Sequence, residues 1–243
     1  MVTLLAASLL LQSAPAPAQS EADKLEAALK KFGDRKYRLF TMGKETGHLS
    51  MKTRIETEGD QKVAVFEDKG DVKIEDKVEG GTMTERLALV GPRILSITSK
   101  DAGGRNEVAI SIREGKATIK KGEDTKVLNV TNSSIGMGSV YRMVCTQEQK
   151  VGGTFKIDHL GPEGFSTGHE FRCVGREQLE IAGVKHNAFK WELKGEGDIE
   201  MPGVENSTYS FDNAYWVSPD GYLLRMAAFD EGKIVNEMIL DAK

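Results

Sequence analysis

Apolar and polar residues alternate with a period of two along most of this chain, and short Gly-marked breaks separate the alternating runs. That is the pattern of half-buried β-strands, whose successive side chains point to opposite faces of a sheet. The last third shows it most plainly. Asn187 to Lys194 sets Phe189, Trp191 and Leu193 against Lys190, Glu192 and Lys194. Tyr209 to Asp212 and Tyr215 to Ser218 alternate aromatic with short polar residues, and Ser218-Pro219-Asp220-Gly221 then supplies turn chemistry. Tyr222 to Phe229 returns as the partner strand, Asp230-Glu231-Gly232-Lys233 turns again, and Ile234 to Leu240 is the third strand of a meander.

The earlier part repeats the pattern at a spacing of about 10–13 residues per strand and turn, as all-β proteins do. Tyr37 to Met42 and His48 to Thr57 open it, and the second run sets Leu49, Met51 and Ile55 against Ser50, Lys52 and Arg54. Turns are expected at Glu58-Gly59-Asp60, Lys69-Gly70-Asp71, Gly80-Gly81, Gly91-Pro92, Gly103-Gly104 and Gly122-Glu123-Asp124, with strands between them. The strands differ in sequence, so no solenoid repeat is present.

Two stretches depart from the period of two. Leu25, Ala28, Leu29 and Phe32 fall at i, i+3, i+4 and i+7, which predicts an amphipathic helix. Ser20 and Asp23 are its cap and Gly33 its stop. Between Asn132 and Gly153 the rhythm breaks, and Val140, Met143 and Val144 predict a short helix or a crossing segment over Ser139 to Gln149. The fold class that follows is mainly β: a large curved antiparallel sheet or half-barrel with an N-terminal amphipathic helix and one short internal helix. A sheet of this many strands has to curl or stack. With no Pro/Ser-rich linker, residues 35–243 read as a single β domain with a crossover near 132–153, after a helical segment at 19–34.

The N-terminus adds a location. Met1 to Leu11 is apolar, and Ala16-Pro17-Ala18 fits the small-residue pattern before a cleavage point, so residues 1–18 read as a signal peptide cut between Ala18 and Gln19. The run carries no Lys or Arg ahead of it, and an uncleaved anchor is the alternative. No other stretch is apolar over 18 residues, so no transmembrane helix is expected in the mature chain. Export places the protein in a periplasmic or extracellular setting. The net charge of −4 and the absence of a basic stripe argue against nucleic acid as a partner.

Candidate chemistry is sparse. Cys145 and Cys173 are an even pair in an oxidising compartment and could form a disulfide, worth roughly 3 kcal/mol by loop closure. Alternatively they are two buried thiols serving as small apolar residues. The four histidines show no metal-binding spacing and read first as surface-polar residues, although Asp158-His159 and His169-Glu170 flank the Gly161-Pro162-Glu163-Gly164 loop and a strand–loop–strand could bring them together. No nucleophile elbow and no phosphate-cradling loop is present. No acid pair stands out among the 37 carboxylates, and no cofactor is implied.

The C-terminal half resembles a family of exported bacterial proteins that look related to the lipoprotein-localisation carriers. The residues that carry the likeness are Tyr141-Arg142, the Gly152-Gly153 restart, the long strands to Leu193, and Trp216-Val217-Ser218-Pro219-Asp220-Gly221-Tyr222-Leu223-Leu224-Arg225-Met226. Tyr37-Arg38-Leu39 to Glu45-Thr46-Gly47 is similar to that family's opening strand pair. The resemblance implies a curved sheet wrapped around helices and an envelope location, and it supplies no catalytic residues. The expectation that follows is a non-catalytic protein that binds an apolar ligand, an acyl chain or lipid, or an envelope protein on its concave face. Leu49, Met51, Ile55, Phe189, Trp191 and Leu193 are the candidate ligand-facing residues. A secreted hydrolase with a His/Asp site or acid pair, and a structural envelope module, are the competing readings.

Overall fold

The computed structural model describes residues 20–74, 77–104, 107–131, 134–161, 164–199 and 207–242. The expected leader and its cleavage point at Ala18 and Gln19 lie outside them. The described chain begins with α1 (Glu21–Phe32), which the sequence caps at both ends. The Ser20 hydroxyl accepts from the Asp23 backbone N–H at 3.2 Å and donates to the Asp23 carboxylate at 2.8 Å. At the other end Gly33, at φ +57°, takes a left-handed turn that a side chain would strain, and its N–H donates to Leu29 O. Leu29 and Phe32 are fully buried, and each contributes about 1.5–3 kcal/mol by leaving water.

From there the chain forms β1 (Arg35–Thr41), β2 (Lys44–Glu58), β3 (Gln61–Ile74), β4 (Lys77–Ala88), β5 (Arg93–Asp101), β6 (Val108–Arg113), β7 (Lys116–Lys121) and β8 (Asp124–Asn129). After the break come β9 (Ser134–Ile135) and α2 (Met137–Thr146). The chain then runs through β10 (Thr154–Gly161), β11 (Gly164–Ile181), β12 (Val184–Ile199), β13 (Ser207–Val217), β14 (Leu223–Asp230) and β15 (Lys233–Leu240). All fifteen strands belong to one sheet, in the order β8 to β1, then β15 down to β9. The first limb walks outward from the middle by antiparallel hairpins. The chain then crosses to the opposite edge, where β9 runs parallel to β10, and the second limb walks back until β15 lies antiparallel to β1. The protein is therefore mainly β: among the described residues, a single large curved sheet with two helices.

Both helices lie inside the curl. α2 touches β3 and β4 of the first limb and β10, β13 and β14 of the second, and β9 also approaches β5. One core fills the concave side, from Leu29 and Phe32 through Tyr37, Met51, Phe66, Phe171 and Trp191 to Met238. A smaller apolar cluster around Trp216, Leu224 and Ala227 sits apart from it. Alternation puts Trp216 on the side of β13 opposite to Tyr215 and Val217, so this cluster belongs to the convex face.

Two of the expected turns are corrected. Lys69-Gly70-Asp71 lies within β3 and Gly80-Gly81 within β4, each with unbroken pairing to its neighbours. Gly80 and Gly81 serve a close approach instead, as does Gly47 on β2, whereas a Cβ on Gly70 would make only ordinary contacts. A Cβ on Gly47 would collide with the Asp71 carbonyl, and one on Gly80 would sit 2.6 Å from Gly70 O. Residues without side chains let the backbones of β2, β3 and β4 approach closely there. The internal helix also starts two residues earlier than expected and ends at Thr146, because the backbone at Gln147 is already extended.

Candidate functional site

The interior is organised by a polar node that seats α2. Glu85 on β4 faces the N-terminus of α2 and accepts from the backbone N–H groups of Gly138 and Ser139, both at 2.8 Å, and from the Ser139 hydroxyl at 2.6 Å. A helix start needs partners for its first N–H groups, and α2 has no side-chain cap of its own, so the sheet supplies one. Gly136 and Gly138 make room for it: a Cβ at Gly136 would collide with the Glu85 carboxylate, and one at Gly138 would lie 2.5 Å from Asp68 Oδ2. Burial pushes the Glu85 carboxyl up from its ordinary range, against the opposing pull of its hydrogen bonds to Ser139 and Gly138.

One turn later Arg142 is fully buried. Its Nη2 bonds Asp68 Oδ1 at 2.7 Å and Lys52 O at 2.9 Å, its Nη1 bonds Gly138 O at 2.9 Å and Asp68 Oδ2 at 3.2 Å, and its Nε bonds Thr53 Oγ1 at 2.9 Å. The guanidinium lies 4.5 Å from the Phe66 ring centre and 5.2 Å from that of Phe32. A buried charge is tolerated only when paired and fully hydrogen-bonded, and Arg142 meets both conditions. The node ties α2 to β2, β3 and β4 and to the end of α1.

The openings lie where α1 crosses the C-terminal end of α2. On one side a cleft of about 800 Å³ is bounded by Ala22 and Leu25 of α1, Leu89, Val90 and Pro92 of the β4–β5 turn, and Met143 of α2. On the other side a cleft of about 530 Å³ runs between Ala27, Ala28 and Lys31 of α1, Gln149, Phe189 and Pro219. Lys24, Thr146 and Gln147 line both. Val90 is 68 % exposed at the rim of the larger cleft.

The six apolar candidates all face the interior. Met51 and Trp191 are sealed, Phe189 and Leu193 are buried, and Leu49 and Ile55 are half-buried against the same core. Trp191 donates through Nε1 to Gln149 Oε1 at 2.9 Å, so its indole is fixed under the segment that follows α2. Phe189 lines the smaller cleft.

The two cysteines are free, buried thiols, and the alternative of a crosslink is not what the structure holds. Cys145 lies on the inner side of α2 near Tyr37 and Arg142, and burial pushes its thiol up. Cys173 pairs with Trp191 across the β11–β12 ladder, and its backbone bonds Gly152 and Gly153. Each fills its own part of the core as a small apolar residue.

The β10–β11 hairpin does bring His159 and His169 together, with ring centres 6.2 Å apart. His169 Nε2 lies 2.8 Å from the Ser166 hydroxyl, and Asp158 accepts from the Gly168 N–H and from Thr131. Alternation puts His169 on the face of β11 that carries Phe171 and Cys173. Burial holds both imidazoles down at about 4, and thus neutral. Ser166 and His169 are at most 5 % exposed, so this pair is covered by the core. Among the described residues no group of three or more His, Cys, Asp or Glu side chains is placed to hold a metal ion, and no helix is long and apolar enough to cross a membrane.

No protein-family model matches the chain, and no curated protein matches it. Solved structures do. A β-barrel-like protein of a domain of unknown function from Brucella abortus aligns with a TM-score of 0.55 at 11% identity, covering 86% of this chain and 94% of that one. A protein described as exported, with a YmcC-like fold, from Bacteroides fragilis aligns with a TM-score of 0.34 at 10% identity, covering 85% of this chain and 92% of that one. A protein described as a lipoprotein from Parabacteroides distasonis aligns with a TM-score of 0.39 at 8% identity, with coverages of 85% and 92%. The first likeness shows a shared β-barrel-like fold. The other two are too distant to carry an argument.

Proposed function

We propose that this is an exported, non-catalytic envelope protein that holds an acyl chain or similar apolar group in the cleft between α1 and the rim of the sheet. The observation that carries the reading is the cleft of about 800 Å³ walled by Leu25, Leu89, Val90, Pro92 and Met143. Ligand sites are typically apolar clefts of roughly 300–1,000 Å³ with a few polar groups at the edge, and Lys24, Thr146 and Gln147 stand at this edge. The apolar run ahead of Ala18 supports export, and the strand pattern that resembles the lipoprotein-localisation carriers supports the envelope setting. The buried node beneath α2 keeps the floor of the cleft fixed, as a preformed site requires.

The test is titration of the folded protein with a fluorescent fatty acid. Saturable binding is expected, and Val90→Glu, which places a charge on the exposed rim, weakens it at least about tenfold by burying that charge against the chain. Absence of saturable binding, or equal binding by the Val90→Glu protein, overturns the assignment.

A further inference from the structure

A further cleft, which begins at Arg93 just past Pro92 of the larger α1 cleft, has a different chemistry. Most described arginines hold a carboxylate, a backbone carbonyl or an aromatic ring. Among the described residues Arg93, Arg113 and Arg172 hold none of these, and two of the three share one cleft. Arg93 opens β5 and Arg113 closes β6, and both line a space of about 420 Å³ at the seam where β9 approaches β5. Thr131 and Ser134, whose hydroxyls lie 3.3 Å from each other, border the same space, and Ile94, Leu95 and Ile112 give it an apolar wall. Glu114 also borders it but forms no ion pair with either guanidinium. The nearby Asp158 carboxylate accepts from Thr131 and from the Gly168 N–H.

Two guanidinium groups without a protein anion, bordering one cleft, make an oxyanion site. The planar fork of Arg matches phosphate oxygens two at a time. The space exceeds what a bare phosphate fills, and the Ile94–Leu95–Ile112 wall suits an attached organic group. We propose that this cleft binds the phosphoryl group of a larger molecule, with Arg93 and Arg113 as its two charged clamps. The proposal is independent of the apolar cleft beside α1.

Three probes test it on the full chain: inorganic phosphate, glycerol 3-phosphate, and vesicles of phosphatidylglycerol against vesicles of phosphatidylcholine. Calorimetry is expected to show saturable binding of glycerol 3-phosphate, tighter than inorganic phosphate and weakened by added salt. Arg93→Gln and Arg113→Gln each weaken it about tenfold, the loss that one charge-assisted pair carries. Arg172→Gln leaves it unchanged. All three substitutions are at exposed side chains, and circular dichroism checks that the fold survives. Selective retention on phosphatidylglycerol vesicles supports the site and assigns the phosphoryl group to a lipid head. Binding of the soluble phosphates without such retention supports it and assigns a soluble ligand. No saturable binding of any probe, or binding that Arg172→Gln weakens as much as Arg93→Gln and Arg113→Gln do, overturns it.

Discussion

The two helices of this protein solve the same problem in opposite ways. α1 carries its own punctuation: Ser20 caps it, Gly33 ends it, and Glu26 bridges Lys30 and Lys62 on its wet side. α2 carries almost none. Its N-terminus is closed by Glu85, 53 and 54 residues away in sequence from the amides it receives, and its only charged residue, Arg142, is spent on Asp68 and on backbone carbonyls. The same contrast shows in two carboxyls. Hydrogen bonds to Lys30 and Lys62 hold Glu26 below its ordinary range, whereas burial drives Glu85 above it. A helix with one face in water can be specified locally, while one buried on most sides must be specified by the sheet.

The sharpest way to break this contrast is at Arg142. Arg142→Ala leaves Asp68 buried without its partner and is expected to cost about 3–5 kcal/mol in denaturant unfolding. Replacing both partners, Arg142→Met with Asp68→Leu, recovers much of that loss, since apolar packing substitutes for a buried ion pair. A double variant no more stable than Arg142→Ala would show that the node does more than neutralise charge.

The cap comes next. Glu85→Ala leaves two backbone N–H groups and one hydroxyl without an acceptor, at a cost of about 1–3 kcal/mol. Glu85→Gln sharpens the point through pH. A carboxyl whose folded pKa is raised holds its proton more tightly folded than unfolded, so its contribution is most favourable at low pH. It declines as pH rises through the window that starts at the ordinary value of 4.5 and ends at the raised one. Wild type minus Glu85→Gln stability, followed from pH 4 to 8 by urea unfolding, is expected to fall across that window; a rising difference would contradict the assignment. The smallest effect belongs to α1: Ser20→Ala costs about 1 kcal/mol, the usual value for a lost N-cap.

What could be read from the sequence follows the same division. α1 and the strands from Asn187 to Leu240 were legible because periodicity, caps and turn residues act within a few positions. Gly80-Gly81 was misread because a glycine needed for close strand approach looks the same in sequence as one needed for a turn, and Lys69-Gly70-Asp71 because turn-forming residues can also lie within a long paired strand. The node was missed for lack of any local sign linking Glu85 or Asp68 to α2. One signal was available: a single Arg amid Val140, Met143 and Val144 on a helix that has to be buried on most sides. The meeting of His159 with His169 was legible because a hairpin loop fixes it. The state of Cys145 and Cys173 was not, because it depends on two separate sets of neighbours. Arg93 and Arg113 drew no attention because a lack of partners can be recognised only once every neighbour has been placed.

The order of strands has a kinetic meaning. Within each limb nearly every pairing is between consecutive strands, so each limb can assemble from nearby contacts. Joining the limbs is another matter: Tyr37 must find Leu240, across almost the whole described chain. Closing so long a loop is slow, because its entropy is lost before the contact is gained. Until the last eight-residue strand arrives, β1 is an unpaired edge beside an open core. The sheet therefore depends on β15 to seal what β1 began, and a chaperone that shields β1 in the interval would act at the step where aggregation competes with folding.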